Sequence, residues 1–599
     1  MIEIERKKVV AATPEAEYLA GGPATGKTTA LAQRALQAAA ANDGEVLAVC
    51  ASEQGARRFR LALDCAASET HADAAERIEV MTVHELALEV LADGGAERFN
   101  RDPHILTKQE MREFTEDMRT TTLKRKRLRE IAAFLECGWS RLDDDDPGWI
   151  ITTEEELVID LIHRTLGFTG GMLPAEVGPL AFKTLRMDDA VAQRHMRDHV
   201  LVDGYHLLGR ASQALANRLA RRSIVIAADE APGLPADDPY PWFEGVEEFL
   251  EANPQAKTTR LAVCHRPQDV VGALNRLRGD AFESCGELAS DDERTVIRSR
   301  YPKNFSDEFE AIADELRSAR DAGAASAFVA GTNGMWRGNL LRFLRAQGLD
   351  ARNAHAGART PKDPAEAALA RLAADPDDAC AWRTWVGCGD ELLRSASVGE
   401  LRDVAEPQGL RLHEALALLS RDELPGASLS DPLYKELLAV YEEGLRQIEA
   451  RRGSGQAEAA GPQGAESQVG PTSEGGDDAP RFEVLVGAPI DARGREFDVV
   501  VFGGFVNGLI PSRDYFDPSK LVGESRRRAH VSDIQHVCLP LAASRSQVVF
   551  TGFQKAGLET AEKLEVSIKR ISALRGEPTA TTTPSELLAL VDPAAEVLQ

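Results

Sequence analysis

Apolar positions in this chain follow two rhythms. Short unbroken runs alternate with longer stretches in which apolar residues recur every three or four positions. EAEYLAGG, near the start, reads as a strand ending in a turn. TTALAQRALQAAAA follows it with helical spacing and strong helix formers, and EVLAVCA is the next apolar, β-rich run. Strand, helix, strand in that order is the βαβ unit of a parallel sheet. From about 91 to about 197 the spacing is mainly helical, broken by an acidic loop at 143–146 followed by Pro147 and Gly148. HVLVD (199–203) and SIVIAAD (223–229) then return to continuous runs, as expected of strands buried on both faces.

Helical spacing dominates again from about 275 to about 446, with one strand candidate, SAFVAG (326–331). Residues 451–478 hold almost no large apolar side chain and are dense in Gly, Ser, Pro, Glu and Gln, the composition of a disordered linker or long loop. FEVLVGA (482–488), DVVVFGGF (498–505) and QVVFTGF (547–553) are the last strand candidates. The tail carrying TATTTP is expected to have little fold. The pattern predicts two sheet-bearing blocks, each interrupted by a helical insertion.

Composition narrows what such a chain can do. Of 599 residues, 43% are apolar and 28% charged, enough for several buried cores. The 96 Asp and Glu outnumber the 70 Lys and Arg, giving a net charge of −26. Bulk electrostatics therefore work against coating nucleic acid or an anionic membrane, though not against a local basic channel. No apolar stretch approaches the roughly 18–20 residues that span a bilayer, and MIEIERKKVV lacks the apolar core of a secretory signal. The eight cysteines are scattered, with no CxxC pair, which argues against zinc, iron–sulfur or disulfide frameworks. A cytoplasmic protein without a membrane partner is the expectation.

The sharpest chemistry lies at Gly21, Gly22, Pro23, Ala24, Thr25, Gly26, Lys27 and Thr28, which satisfy G-x-x-x-x-G-K-[ST] between a strand and a helix. Glycines let backbone N–H groups wrap closely round phosphates. Lys27 reaches the β/γ oxygens, the Thr28 hydroxyl can ligate Mg²⁺, and the following helix offers its positive end. ATP and Mg²⁺ are the expected cofactors. Asp203, at the tip of HVLVD, is the first candidate for the carboxylate that holds the metal; Asp229-Glu230 is the second.

The order of segments resembles the superfamily 1 DNA helicases of the UvrD/Rep/PcrA type, including RecB- and AdnA-like subunits. VLAVCASEQGARRF (46–59) resembles motif Ia, with Ser52 keeping a hydroxyl, and VMTVHELAL (80–88) resembles motif Ib, with Thr82 and His84 matching. LVDGYHLL and IAADEAPG fall where the family has its metal-carboxylate motif and motif III, which favours Asp203 as the magnesium residue. WFEGV (242–246) resembles a segment that offers an aromatic, here Phe243, for stacking on a base. VCHRPQDVV (263–271) resembles motif IV, PIDARGREF (489–497) motif V and LPLAASRSQVVF (539–550) motif VI.

The resemblance implies an α/β fold of two RecA-like lobes with parallel sheets, each carrying a mainly helical insertion. The lobes would span 1–90 with 196–275, and 276–395 with 482–573. The insertions would be 91–195 and 396–450, with a disordered linker at 451–481 and a tail at 574–599. It implies that Lys27, Asp203, Arg266 and Arg545 are catalytic, and that residues 21–28, Thr29 and Glu496 contact nucleotide. Thr28 and Asp203 would hold the metal, and Ser52, Thr82, His84 and Phe243 would contact single-stranded DNA. Movement on that strand, 3′ to 5′, in repair or recombination, is the implied activity. The chain also departs from the pattern. Gly204 stands at the family's glutamate, His206-Leu207 at its Gln–Asp, Pro232 at the motif III Gln, and Ile490 at the motif V His. These substitutions fall on water-orienting and coupling groups and spare the phosphate grip. They keep open a second reading: a helicase-like subunit that binds ATP and DNA with little hydrolysis and supports a partner helicase or nuclease.

Overall fold

The computed structural model describes residues 10, 12–41, 44–67, 72–95, 98–119, 123–231, 240–282, 285–354, 363–428, 431–453, 482–516, 524–573 and 577–595. Nearly all of the expected linker and the departure at Pro232 lie outside these residues; 451–453 end a helix.

The first block of apolar runs forms one sheet. Its strands are β1 (Glu15–Gly21), β2 (Val46–Cys50), β3 (Ile78–Thr82), β4 (Arg197–Asp203), β5 (Ala220–Ala228) and β6 (Lys257–Leu261). They lie in the order β3-β2-β4-β5-β1-β6, every pair parallel. β2 is buried along its whole length because helices cover both faces. On one face α1 (Lys27–Ala40) and α2 (Glu53–Ala66) bring Leu31 and Phe59 against Leu201. On the other, Leu86, Phe182 and Leu215 pack over Val200. β6 has mainly exposed or half-buried, polar positions and closes one edge. Such an edge strand carries no apolar run, which is why the hydropathy pattern does not announce it.

A parallel pair, β7 (Val263–Pro267) and β8 (Ala289–Asp292), leads into the second sheet. That sheet comprises β9 (Ile297–Arg300), β10 (Ser326–Ala330), β11 (Ala351–Asn353), β12 (Glu483–Gly487), β13 (Phe497–Phe502) and β14 (Ser544–Thr551). Its order is β11-β12-β10-β13-β14-β9, again all parallel. Leu274, Phe502, Ile534 and Phe550 share the core on one face, and Leu316, Trp336 and Leu340 fill the other. These are the two RecA-like lobes of an α/β protein. Helix Gln268–Ala281 packs with the second sheet, so a lobe boundary at 275/276 falls inside it.

Two helical bodies interrupt the lobes. The first gathers Leu135, Trp139 and Ile162 between β3 and β4. The second, between β11 and β12, gathers Leu372, Trp382, Leu416 and Tyr441, so that an expected boundary at 395/396 cuts through a shared core beginning at Pro364. Buried polar groups join them. Arg383 donates twice to Asp117, at 2.6 Å each, with both side chains at most 3% exposed. Thr384 donates to Glu113 at 2.8 Å. His104, Glu110 and Cys380 converge closely enough to suggest a metal site. However, Arg371 donates to Glu110 at 2.6 Å and lies 3.2 Å from the same His104 nitrogen, supplying the positive charge itself.

The tail does fold, against expectation. β15 (Lys555–Gly557), β16 (Ile568–Ser572) and β17 (Thr579–Thr582) form an antiparallel sheet in the order β15-β17-β16. β17 is the TATT segment; it buries Ala580 and Thr582. Its side chains are too small to register as an apolar run.

Candidate active site

The loop after β1 is shaped by tight backbone space. Gly26 enters α1 at φ 81°, a left-handed conformation open to glycine at little cost. A Cβ on Gly21 would lie 2.6 Å from the Thr25 hydroxyl and 2.9 Å from the Leu261 carbonyl. β1 lies beside β5, which in turn lies beside β4, so three strand ends deliver their residues to one place. Parallel α/β sheets bind ligands at such carboxyl ends.

A cavity of about 270 Å³ opens there between the lobes. Of the residues nominated from sequence, Pro23, Ala24, Thr25, Gly26, Lys27, Thr28, Thr29, Ser52, Asp203 and Arg266 line it. Gly21 and Gly22 sit just behind, their carbonyls accepting from Lys27 Nζ. Thr28 Oγ1 donates to Asp203 Oδ2 at 2.8 Å. Burial pushes the Asp203 carboxyl up, against the Thr28 hydrogen bond and the charge of Lys27. Burial likewise lowers Lys27, opposed by Asp229 and Asp203. Thr28 and Asp203 present two hard oxygens side by side, a donor set that suits Mg²⁺ held together with nucleotide phosphates.

Across the cleft, Arg266 of β7 lines the cavity, whereas Arg545 of β14 does not. Both are tied to Glu496. Arg266 Nη2 donates to its Oε1 at 2.8 Å, and Arg545 donates to its Oε2 at 2.6 and 2.9 Å. Arg58 of α2 adds a third ion pair at 3.1 Å. Glu496 therefore positions arginines and is not itself part of the cavity wall. Arg493, Gly494 and Arg495 do line it, and Gly494, at φ 68°, lies against Gln54 of α2.

Several cavity residues were not singled out from sequence as nucleotide contacts or catalytic groups, Asp229 having stood only as the second candidate for the metal carboxylate. Arg58 and Arg278 reach the cavity, as does Asp229 at the tip of β5. Arg278 is 2% exposed on a helix face shared with Leu274 and Leu277, and a guanidinium set in an apolar stripe is the signal that marks it. His206 also lines the cavity; its Nδ1 accepts from the Asp229 backbone N–H at 3.2 Å. Burial lowers its pKa to about 4, so the ring is neutral near pH 7 and its Nε2 carries the proton. Gly204 sits at φ 78°, where an added Cβ would lie 3.3 Å from both Ala51 and Leu207. Glu230 is turned away to Arg260 at 2.8 Å.

Of the residues nominated for DNA, only Ser52 lines the cavity. Ser52 caps α2 by accepting from the Gly55 N–H at 3.1 Å. Thr82 caps helix Val83–Val90 in a reciprocal box with Glu85, and His84 on that helix is half-buried. Phe243 is 45% exposed, whereas neighbouring Trp242 is buried with Arg141 and Arg210 over its ring. Thr82, His84 and Phe243 do not line the cavity.

Residues 2–164 match the UvrD/REP helicase N-terminal domain family. The N-terminal part of the chain is therefore similar to UvrD-like helicases of superfamily 1. The matched segment carries the phosphate loop, β2, β3 and most of the first helical insertion. No curated protein matches it significantly. Among the described residues, no helix is long and apolar enough to cross a membrane.

Proposed function

We propose that this UvrD-like chain is an ATP-driven translocase on single-stranded DNA, moving 3′ to 5′ in repair or recombination. The observation that supports it most is the cavity itself. Lys27, Thr28 and Asp203 from one lobe face Arg266, Arg493 and Arg495 contributed with the other. Arginines supplied across a cleft stabilise charge on a transferring phosphoryl group and couple its loss to lobe movement. Mg²⁺ held by Thr28 and Asp203 would neutralise phosphate charge. Arg545 would enter from its ion pair with Glu496. Ser52, Thr82, His84 and Phe243 form the proposed DNA path. Ser52 and Thr82 accept their cap bonds through oxygen, which leaves each hydroxyl proton for a phosphate. We draw the lobes as roughly 10–90 with 196–262 and 263–354 with 482–595, and the helical bodies as roughly 91–195 and 363–453.

A second reading draws on Gly204: a subunit that grips ATP and DNA, hydrolyses slowly and supports a partner motor or nuclease. Steady-state ATPase with and without single-stranded DNA tests both. Turnover stimulated by DNA and abolished by Lys27→Ala supports the translocase. Nucleotide binding without turnover in the parent supports the subunit.

A further inference from the structure

Hydrolysis of a nucleoside triphosphate needs a group that holds the attacking water and accepts its proton. Among the described residues the cavity is lined by only two carboxylates, Asp203 and Asp229. Asp203 is engaged by Thr28 at the metal position. Position 204 is glycine in a left-handed conformation, and Glu230 is spent on Arg260. Gln535 also reaches the cavity, but an amide cannot take a proton.

Asp229 has the features the task requires. It immediately follows β5, the strand lying between the phosphate-loop strand β1 and the Asp203 strand β4. Its Oδ1 accepts from the Ala231 N–H at 3.0 Å and from Arg278 at 3.4 Å. Oδ2 has no hydrogen bond to a described residue. His206 fixes the turn by accepting the Asp229 N–H, and it offers its Nε2–H as a donor.

Resting on the ATPase reading above, we propose that Asp229 is the catalytic base. The water oxygen attacks the γ-phosphorus, the bond from that phosphorus to the β–γ bridging oxygen breaks, and ADP leaves. The water proton passes to Asp229 Oδ2 and from there to the released phosphate.

The test uses the full chain with Mg-ATP and single-stranded DNA. Asp229→Asn keeps an acceptor for Ala231 and Arg278 but removes the charge facing the buried Arg278, so hydrolysis is measured below the melting transitions of both variant and parent. Single-turnover hydrolysis should fall by about 100-fold or more. Affinity for a fluorescent non-hydrolysable ATP analogue should stay within a few-fold of the parent's. Glu230→Gln should turn over like the parent. Parent-like hydrolysis in Asp229→Asn, or a loss expressed only in KM, overturns the assignment while leaving the ATPase reading intact. Absence of any turnover in the parent overturns both.

Discussion

Gly204 shows how one residue can look like a lost catalytic group and be something else in structure. At φ 78° the backbone is left-handed, and the position a Cβ would take points at Ala51 and Leu207. A non-glycine residue held there costs roughly 1–2 kcal/mol. Gly204→Ala should lower the apparent melting temperature accordingly, and Gly204→Asn should cost less, because asparagine tolerates this region. Thermal scans of the two variants beside the parent check the ranking; equal melting of all three would show that the turn relaxes freely. The same strain would accompany Gly204→Glu. Restoring a carboxylate at this position is therefore not expected to restore a motor by itself.

At the scale of elements, the helical bodies are joined in part by buried polar pairs, which sequence periodicity does not see. Arg383 and Asp117 lie far apart in the chain and pair at 2.6 Å with almost no exposure. Removing one partner leaves a buried charge, which typically costs about 3–5 kcal/mol, whereas replacing both by apolar residues is often neutral or stabilising. Arg383→Met should therefore be strongly destabilising, and Arg383→Met with Asp117→Leu should recover most of the loss. Chemical denaturation of both variants measures this, and additive losses would count against a coupled pair. The apolar runs of β1, β2, β4, β5, β10, β12, β13 and β14 were legible because those strands are central and buried on both faces. β6, β11 and β17 were not, being edge, short or built of small residues. The phosphate loop was legible because its glycines, lysine and threonine lie at fixed spacing in one short segment. Arg278 was not, because the cavity takes it from a separate element, and Asp229 was legible only as a second choice for the metal carboxylate.

For the whole molecule, acidity and function are reconciled by where the charges sit. A chain of net charge −26 lines its interlobe cavity with Lys27, Arg58, Arg266, Arg278, Arg493 and Arg495, against Asp203 and Asp229. One carboxylate behind the wall organises part of that field. Burial alone would raise Glu496, but hydrogen bonds from Arg266 and Arg545 and the charges of Arg266 and Arg58 hold it at about 2. A carboxyl depressed in the folded state contributes stability that is complete above its ordinary value near 4.5 and is lost as pH falls toward 2. Glu496→Gln should therefore lower the apparent melting temperature near pH 7 by the equivalent of about 2 kcal/mol. Variant and parent should converge as pH approaches the folded value, because other carboxylates titrate alike in both and only Glu496 distinguishes them. Melting curves from pH 2 to pH 7 test this, and a gap that stays constant with pH would exclude the ion pairs as its source. The same substitution weakens the hold on Arg266, Arg545 and Arg58 together. Loss of DNA stimulation alongside loss of stability at pH 7 would place the coupling of the lobes in this one carboxylate and its three arginines.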